Sequence, residues 1–192
     1  MGVQQAIIEE REPVRHLLTV DEFLILDEAG AFEELGRVEL IDGEIYVLSP
    51  LFRPHARAQI EIMTAFANAL RAGDFAAEAL APVSAKLDKH NLPEADLLIV
   101  SGGDAPFVQR EEVLIAVEVS ASSLRHDLGR KAKLYARMGV PEYWVLDVKR
   151  QIVIRFAEPL GEKYTQRQEF QFGTKISCAT IPGLTIDTTY LA

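Results

Sequence analysis

The chain has 192 residues, 48% apolar and 26% charged, enough for one well-cored domain and too few for two; wholesale disorder is excluded. Its formal charge of −9 lies in residues 1–50, with 3 basic and 12 acidic side chains, while residues 51–192 hold 17 of each. No apolar run approaches the ~20 residues that span a bilayer, and the single cysteine, Cys178, excludes an internal disulfide and a cysteine-built zinc site.

The opening residues lack the basic and apolar stretches of a secretory signal, so a cytoplasmic protein is expected. Residues 1–16 read as a flexible or interfacial segment ahead of the first element. Thr19-Val-Asp-Glu22 is a capping-box pattern that opens a helix through about Glu28. Arg37–Leu48, RVELIDGEIYVL, reads as a hairpin whose Asp42-Gly43 turn supplies the positive φ such turns require. A long helix is expected over His55–Ala72, with Ile60, Met63, Ala67 and Leu70 at helical spacing and Gly73 as its stop. Strand signals follow at Pro82–Leu87, Ala95–Val100 and Val113–Ser120. The last two are nearly continuous apolar runs, as in central strands covered on both faces. Asp127–Met138 reads as a second long helix, N-capped by Asp127 and ended by Gly139. Val140–Asp147 and Gln151–Phe156 form a hairpin, and Tyr164–Phe172 and Lys175–Ala179 supply edge strands. Helices interleaved with a mixed sheet predict one α/β domain over residues 1–192.

Several common chemistries are absent: there is no GxxxxGK[ST], GxGxxG, HExxH or GxSxG. His16, His55, His90 and His126 lie in four separate segments and form no ligand pair at helical spacing. Carboxylates in unusual places remain. Asp96 interrupts PEADLLIV at the start of a buried strand, and Glu118 sits inside LIAVEVS near the end of the next. A carboxylate among β-branched neighbours costs several kcal/mol unless it is paired or binds a cation. A divalent ion would relieve both acids at once, and magnesium takes one or two carboxylates with waters and phosphate. An arginine partner or a wet strand end would serve each acid as well.

In the second helix Leu128, Lys131, Ala132, Tyr135 and Met138 recur at spacings of 3 and 4 on the inward stripe. Arg130, Lys133 and Arg137 share the outer face. An inward lysine needs an anion; Asp127, one turn earlier, is one candidate and Glu118 the other. At Glu118 the ammonium could orient a water or neutralise charge on phosphate. Glu39, just before the hairpin turn, is a further acid, although carboxylates on the open face of a hairpin are common. The basic run Arg125, Arg130, Lys131, Lys133 and Arg137 faces Asp127 alone, a local face that could meet a phosphodiester on an otherwise acidic chain.

The stretch RVELIDGEIYVLSP, then Pro54-His55, PEADLLIV and VEVSASSLRHDLGRKAKLYARMGVPEYWVLD, resembles the Uma-type restriction endonuclease family, a branch of the PD-(D/E)XK nuclease superfamily. The resemblance runs from about Leu17 to Phe156. It implies the restriction-endonuclease-like fold, a mixed central β-sheet flanked by helices, and an Mg²⁺-dependent endonuclease acting on DNA, with Mn²⁺ as a substitute. By matched position, Asp96 is the central acid, Glu118 the second metal ligand and Glu39 an N-terminal acid assisting the metal. The superfamily lysine two positions after the second acid is Ser120 here, and the family's helix-borne lysine matches Lys131. The proline that usually precedes the aspartate directly is Pro93, three positions earlier. His55 and Gln59 could line the same cleft, with Arg130 and Lys133 as further substrate contacts. Tyr135, Tyr143 and Trp144 read as core or interface residues. Such folds often act as symmetric homodimers, because duplex DNA has two strands.

Two other readings stay open. The acidic first third would repel a duplex, which suits a weak or inactive binding or assembly protein on the same fold. Hydrolysis of another phosphodiester is compatible with the same residues.

Overall fold

The computed structural model describes residues 13–192, and the expectations for residues 1–12 lie outside them. Helix α1 (Val20–Glu28) starts on the expected capping box: Thr19 accepts from the Glu22 N–H, and the Glu22 carboxylate accepts from the Thr19 N–H. The hairpin follows as β1 (Val38–Ile41) and β2 (Glu44–Val47), with Asp42 and Gly43 at φ 54° and 72° in its turn.

Helix α2 (Arg53–Ala72) starts two residues earlier than expected, with Pro54 in its first turn, where a missing N–H costs nothing. Its core stripe is Ala58, Ile62, Phe66 and Leu70, while Ile60 is exposed. The expected inner face is therefore corrected by rotation. Residues Phe66 and Ile62 are bulky enough to set the buried side, and small alanines blur the pattern around them.

Strands β3 (Glu78–Leu80), β4 (Val83–Lys86), β5 (Glu94–Ala95), β6 (Leu97–Val100), β7 (Val108–Gln109) and β8 (Val113–Ser120) follow. The single strand expected at Ala95–Val100 is split at Asp96. Before it, β5 pairs with β4 in a small sheet; after it, β6 pairs with β8 and β3 in the main sheet. The acid thus sits where the chain changes sheets.

Residues 124–137 form one helical segment in three parts: α3 (Leu124–His126), a π-turn (Asp127–Lys131) and α4 (Ala132–Arg137). It begins three residues before the expected start, so Asp127 is not its N-cap. Strands β9 (Glu142–Asp147), β10 (Ile152–Leu160), β11 (Lys163–Gln171), β12 (Lys175–Ser177) and β13 (Thr185–Asp187) complete the chain.

The main sheet has six strands in the order β11-β10-β9-β8-β6-β3. Only β8 and β9 run parallel, and the helical segment 124–137 makes the crossover that parallel neighbours require. The mixed α/β fold is as expected. One face packs α2 against Leu97, Ile99, Val117, Val119, Trp144 and Leu146. The other packs Ala132, Leu134 and Tyr135 against Leu98, Ala116, Tyr143 and Val145. Tyr135, Tyr143 and Trp144 are all fully buried core. Among the described residues no helix is long and apolar enough to cross a membrane.

Candidate active site

The period of two along β8 decides where Glu118 points. Val117 and Val119 enter the α2 layer, so Ala116 and Glu118 face the helical segment 124–137. The antiparallel register pairs Leu97 with Val117, which places Asp96 and Glu118 one step further along the same two strands. The π-turn does the rest. Its widened backbone, a form concentrated at functional sites, turns both Asp127 and Lys131 inward and leaves Arg130 exposed.

Lys131 is 3% exposed and reaches three oxygens. Its Nζ donates to the Glu94 carbonyl at 2.8 Å and to Glu118 Oε1 at 3.0 Å, and lies 3.1 Å from Glu39 Oε2. Of the two anions open at the sequence level, Glu118 is therefore the partner. Asp127 instead accepts from the hydroxyls of Ser120 (2.5 Å) and Ser123 (2.6 Å), tying the turn after β8 to the helical segment. Ser120 and Ser123 together serve as this anchor.

Asp96 Oδ2 accepts from the Val119 N–H at 2.7 Å and lies 3.1 Å from His55 Nε2. Glu118 Oε1 accepts from Lys131 and from the Tyr135 hydroxyl at 3.1 Å. Their second oxygens, Asp96 Oδ1 and Glu118 Oε2, bond to no described residue and are not sealed from solvent. Both acids line a cavity of about 70 Å³, room for an ion and a few waters. His55, Lys131, Asp127 and Glu94 line it too.

Burial pushes the Glu118 carboxyl well above its ordinary range; Lys131 pulls it down, while Asp96, Asp127 and Glu39 push it further up. Burial also favours a neutral Lys131, but Glu118, Glu39 and Asp127 outweigh it and hold the ammonium charged. Glu39 is pushed up by burial, yet Lys131 and His126 bring it below the usual carboxylate range. Three buried acids, Glu118, Glu39 and Asp127, thus act on one ammonium, with Asp96 a fourth acid beside them, a set short of positive charge.

Among the described residues no group of three or more His, Cys, Asp or Glu is arranged to hold a metal. The two free carboxylate oxygens fit magnesium, which needs one or two and fills the remaining positions with water and phosphate.

Glu39 is almost fully buried and does not line the cavity; it stands behind Lys131, with Oε1 3.0 Å from His126 Nε2 and Oε2 accepting from the Glu94 N–H. The hairpin face carrying it is covered, not open. Gln59 donates its amide to the Asp96 carbonyl at 2.9 Å and lies outside the cavity lining, bracing the backbone at the acid. Arg130 stacks its guanidinium 4.6 Å from the centre of the Tyr46 ring on the outer side of the helical segment, and Lys133 lies further along that side. Two members of the site escape sequence reading. Glu94 supplies backbone donor and acceptor to Glu39 and Lys131, and its side chain pairs with Arg37. His126 meets Glu39 across 87 residues of chain, which no local pattern signals.

The crystal structure of "a putative nuclease belonging to DUF820 from Anabaena variabilis" superposes with a TM-score of 0.71, covering 91% of this chain and 97% of that one. At 16% identity this likeness establishes the fold. No curated protein gives a significant sequence match. The profile of the Uma2 family, "Putative restriction endonuclease", matches residues 20–189, and the chain belongs to that family.

Proposed function

We propose that the chain is a metal-dependent endonuclease hydrolysing phosphodiester bonds in DNA, with Mg²⁺, or Mn²⁺ in its place, held by Asp96 and Glu118. The observation that carries this reading is the placement of Lys131. Its buried ammonium is shared between Glu118 and Glu39 at the wall of an open cavity, beside an Asp96 with a free oxygen. A purely structural ion pair needs one acid and no cavity.

When bound, the metal supplies a Lewis acid to the scissile phosphate. The protein's own residues do the rest. His55 and the Val119 N–H fix Asp96, and Lys131 and Tyr135 fix Glu118, so each acid presents one oriented oxygen. Lys131 stays charged and stabilises negative charge gathering on the phosphate. Its protons face three protein oxygens here, so it acts through charge; to orient a water it releases Glu39, which keeps the Glu94 N–H as donor. Glu39 and His126 are positioning residues behind it. Arg130 and Lys133 receive phosphates flanking the scissile one. The outer edge of β11 suits a two-fold interface between copies of the chain.

Calorimetric titration of Mg²⁺ tests the metal site. The expected result is one site in the wild type that is lost in Asp96→Asn and Glu118→Gln. A wild type that binds neither Mg²⁺ nor Mn²⁺ favours a binding or assembly protein instead, the reading that the acidic first 50 residues support.

A further inference from the structure

The mouth of the Asp96–Glu118 cavity has two walls of unlike chemistry. The wall from β2 and the loop into α2 is apolar: Leu51 and Phe52 line the cavity and are 47% and 58% exposed, and exposed Val47 lines the adjoining outer groove. The wall from the turn after β8 and the helical segment is basic. Arg125 and Arg130 line an outer groove of about 550 Å³ that shares Ser49, Ser122 and His126 with the cavity. The basic side continues to Lys133. Among the described residues neither Arg125 nor Lys133 has an ion-pair partner; Arg130 lies 3.9 Å from Glu44, and Arg137 is tied to Asp42 and Glu162.

Large apolar side chains at the lip of a charged cleft suit a partner that offers apolar surface and phosphate together. A duplex offers phosphate and sugar at its surface and base edges in its grooves, with the apolar base faces stacked inside. A single strand offers both: bases stack on apolar or aromatic side chains while the backbone follows a positive groove. Charge points the same way. Residues 13–50, with nine acidic and two basic side chains, build α1 and the hairpin that forms the apolar wall's base. A duplex, charged on all sides, would bring phosphates against them, whereas a strand lying in the groove meets its basic wall.

We infer that the cleft takes an unpaired nucleic-acid strand, seating a base against Leu51 and Phe52 and the neighbouring phosphates along Arg125 and Arg130. The inference rests on the nuclease reading of the cavity floor and adds the class of substrate.

Fluorescence anisotropy in EDTA, where no cleavage interferes, tests it with a labelled oligothymidylate of about twelve nucleotides and its duplex with oligodeoxyadenylate. The single strand is expected to bind roughly tenfold or more tighter than the duplex, and Phe52→Ser to weaken single-strand binding by about tenfold. Leu51→Ser gives the same reading should the Phe52 variant lose its fold. A duplex bound as well as the strand, or folded lip variants that bind the strand like wild type, overturns the inference. Hydrolysis of bis(p-nitrophenyl) phosphate, a diester with no base for the lip, reports the floor separately. Hydrolysis without strand preference overturns this inference alone; neither hydrolysis nor strand binding overturns both readings.

Discussion

Replacing Lys131 with methionine keeps the length of its buried stem and removes its charge. Glu118 and Glu39 then face each other with nothing between them. Their oxygens lie no more than about 6 Å apart, given 3.0 and 3.1 Å to the same nitrogen, and two unit charges there repel by roughly 3 kcal/mol at an effective dielectric of 20. Removing one partner of a buried ion pair costs about 3–5 kcal/mol by direct measurement elsewhere, which agrees. At pH 8 the midpoint of thermal unfolding should fall by roughly 6–20 °C. The loss should also depend on pH. Glu118, already pushed up by burial, takes a proton in the folded variant at a pH where the unfolded chain does not. The variant therefore regains stability as pH falls toward 4.5, by up to ~1.4 kcal/mol per unit. Urea unfolding at pH 8 and pH 5.5 reads this directly through Trp144, the only tryptophan and fully buried. Adding Glu118→Gln to the methionine variant should restore much of the loss at pH 8. A cost below about 1 kcal/mol, equal at both pH values, would refute the placement of the ammonium between two ionised acids.

Magnesium at about 100 times its dissociation constant should stabilise the wild type by about 2.7 kcal/mol, a rise of roughly 5–11 °C in a thermal melt, and leave Asp96→Asn unmoved. His55→Leu should weaken Mg²⁺ binding about 10–100-fold by calorimetry, because Asp96 loses the ring that fixes it, while His55→Gln retains part of the affinity. Glu39 has its folded pKa below 4.5, so its contribution is present above that value and is lost as pH falls through the folded pKa. Glu39→Gln should flatten the acid limb of the stability profile, measured by urea unfolding between pH 5 and 3. Ile62→Ala, at the centre of the α2 layer and outside the cavity lining, should cost about 2–5 kcal/mol without altering the affinity for Mg²⁺.

Local chemistry made parts of the fold legible. The Thr19–Glu22 box, the Asp42-Gly43 turn and the apolar run of β8 each carry a short-range signal, and each element stands where it was expected. The short strands β3, β7 and β13 have two or three residues each and take their identity from a partner strand, so periodicity cannot find them. The face of α2 was obscured by alanines, and the π-turn by the absence of any residue code for a widened backbone. Within the site, Lys131 was visible because an inward lysine on an apolar stripe demands an anion. Its choice between Asp127 and Glu118 was not visible, because Ser120 and Ser123 satisfy Asp127 only once the turn after β8 is folded. Glu39 looked unremarkable because nothing in the hairpin shows that Lys131 and His126 will cover it.

Cleavage of supercoiled plasmid at low salt, with Mg²⁺ and separately Mn²⁺, tests the central claim most directly when wild type is compared with Asp96→Asn and Lys131→Met. The account predicts nicked or linear product from the wild type and none from either variant, both verified as folded. Undiminished cleavage by Asp96→Asn would contradict the metal assignment, and undiminished cleavage by Lys131→Met the role of the ammonium. A wild type inert toward both plasmid and single strands with either metal would contradict the nuclease reading itself.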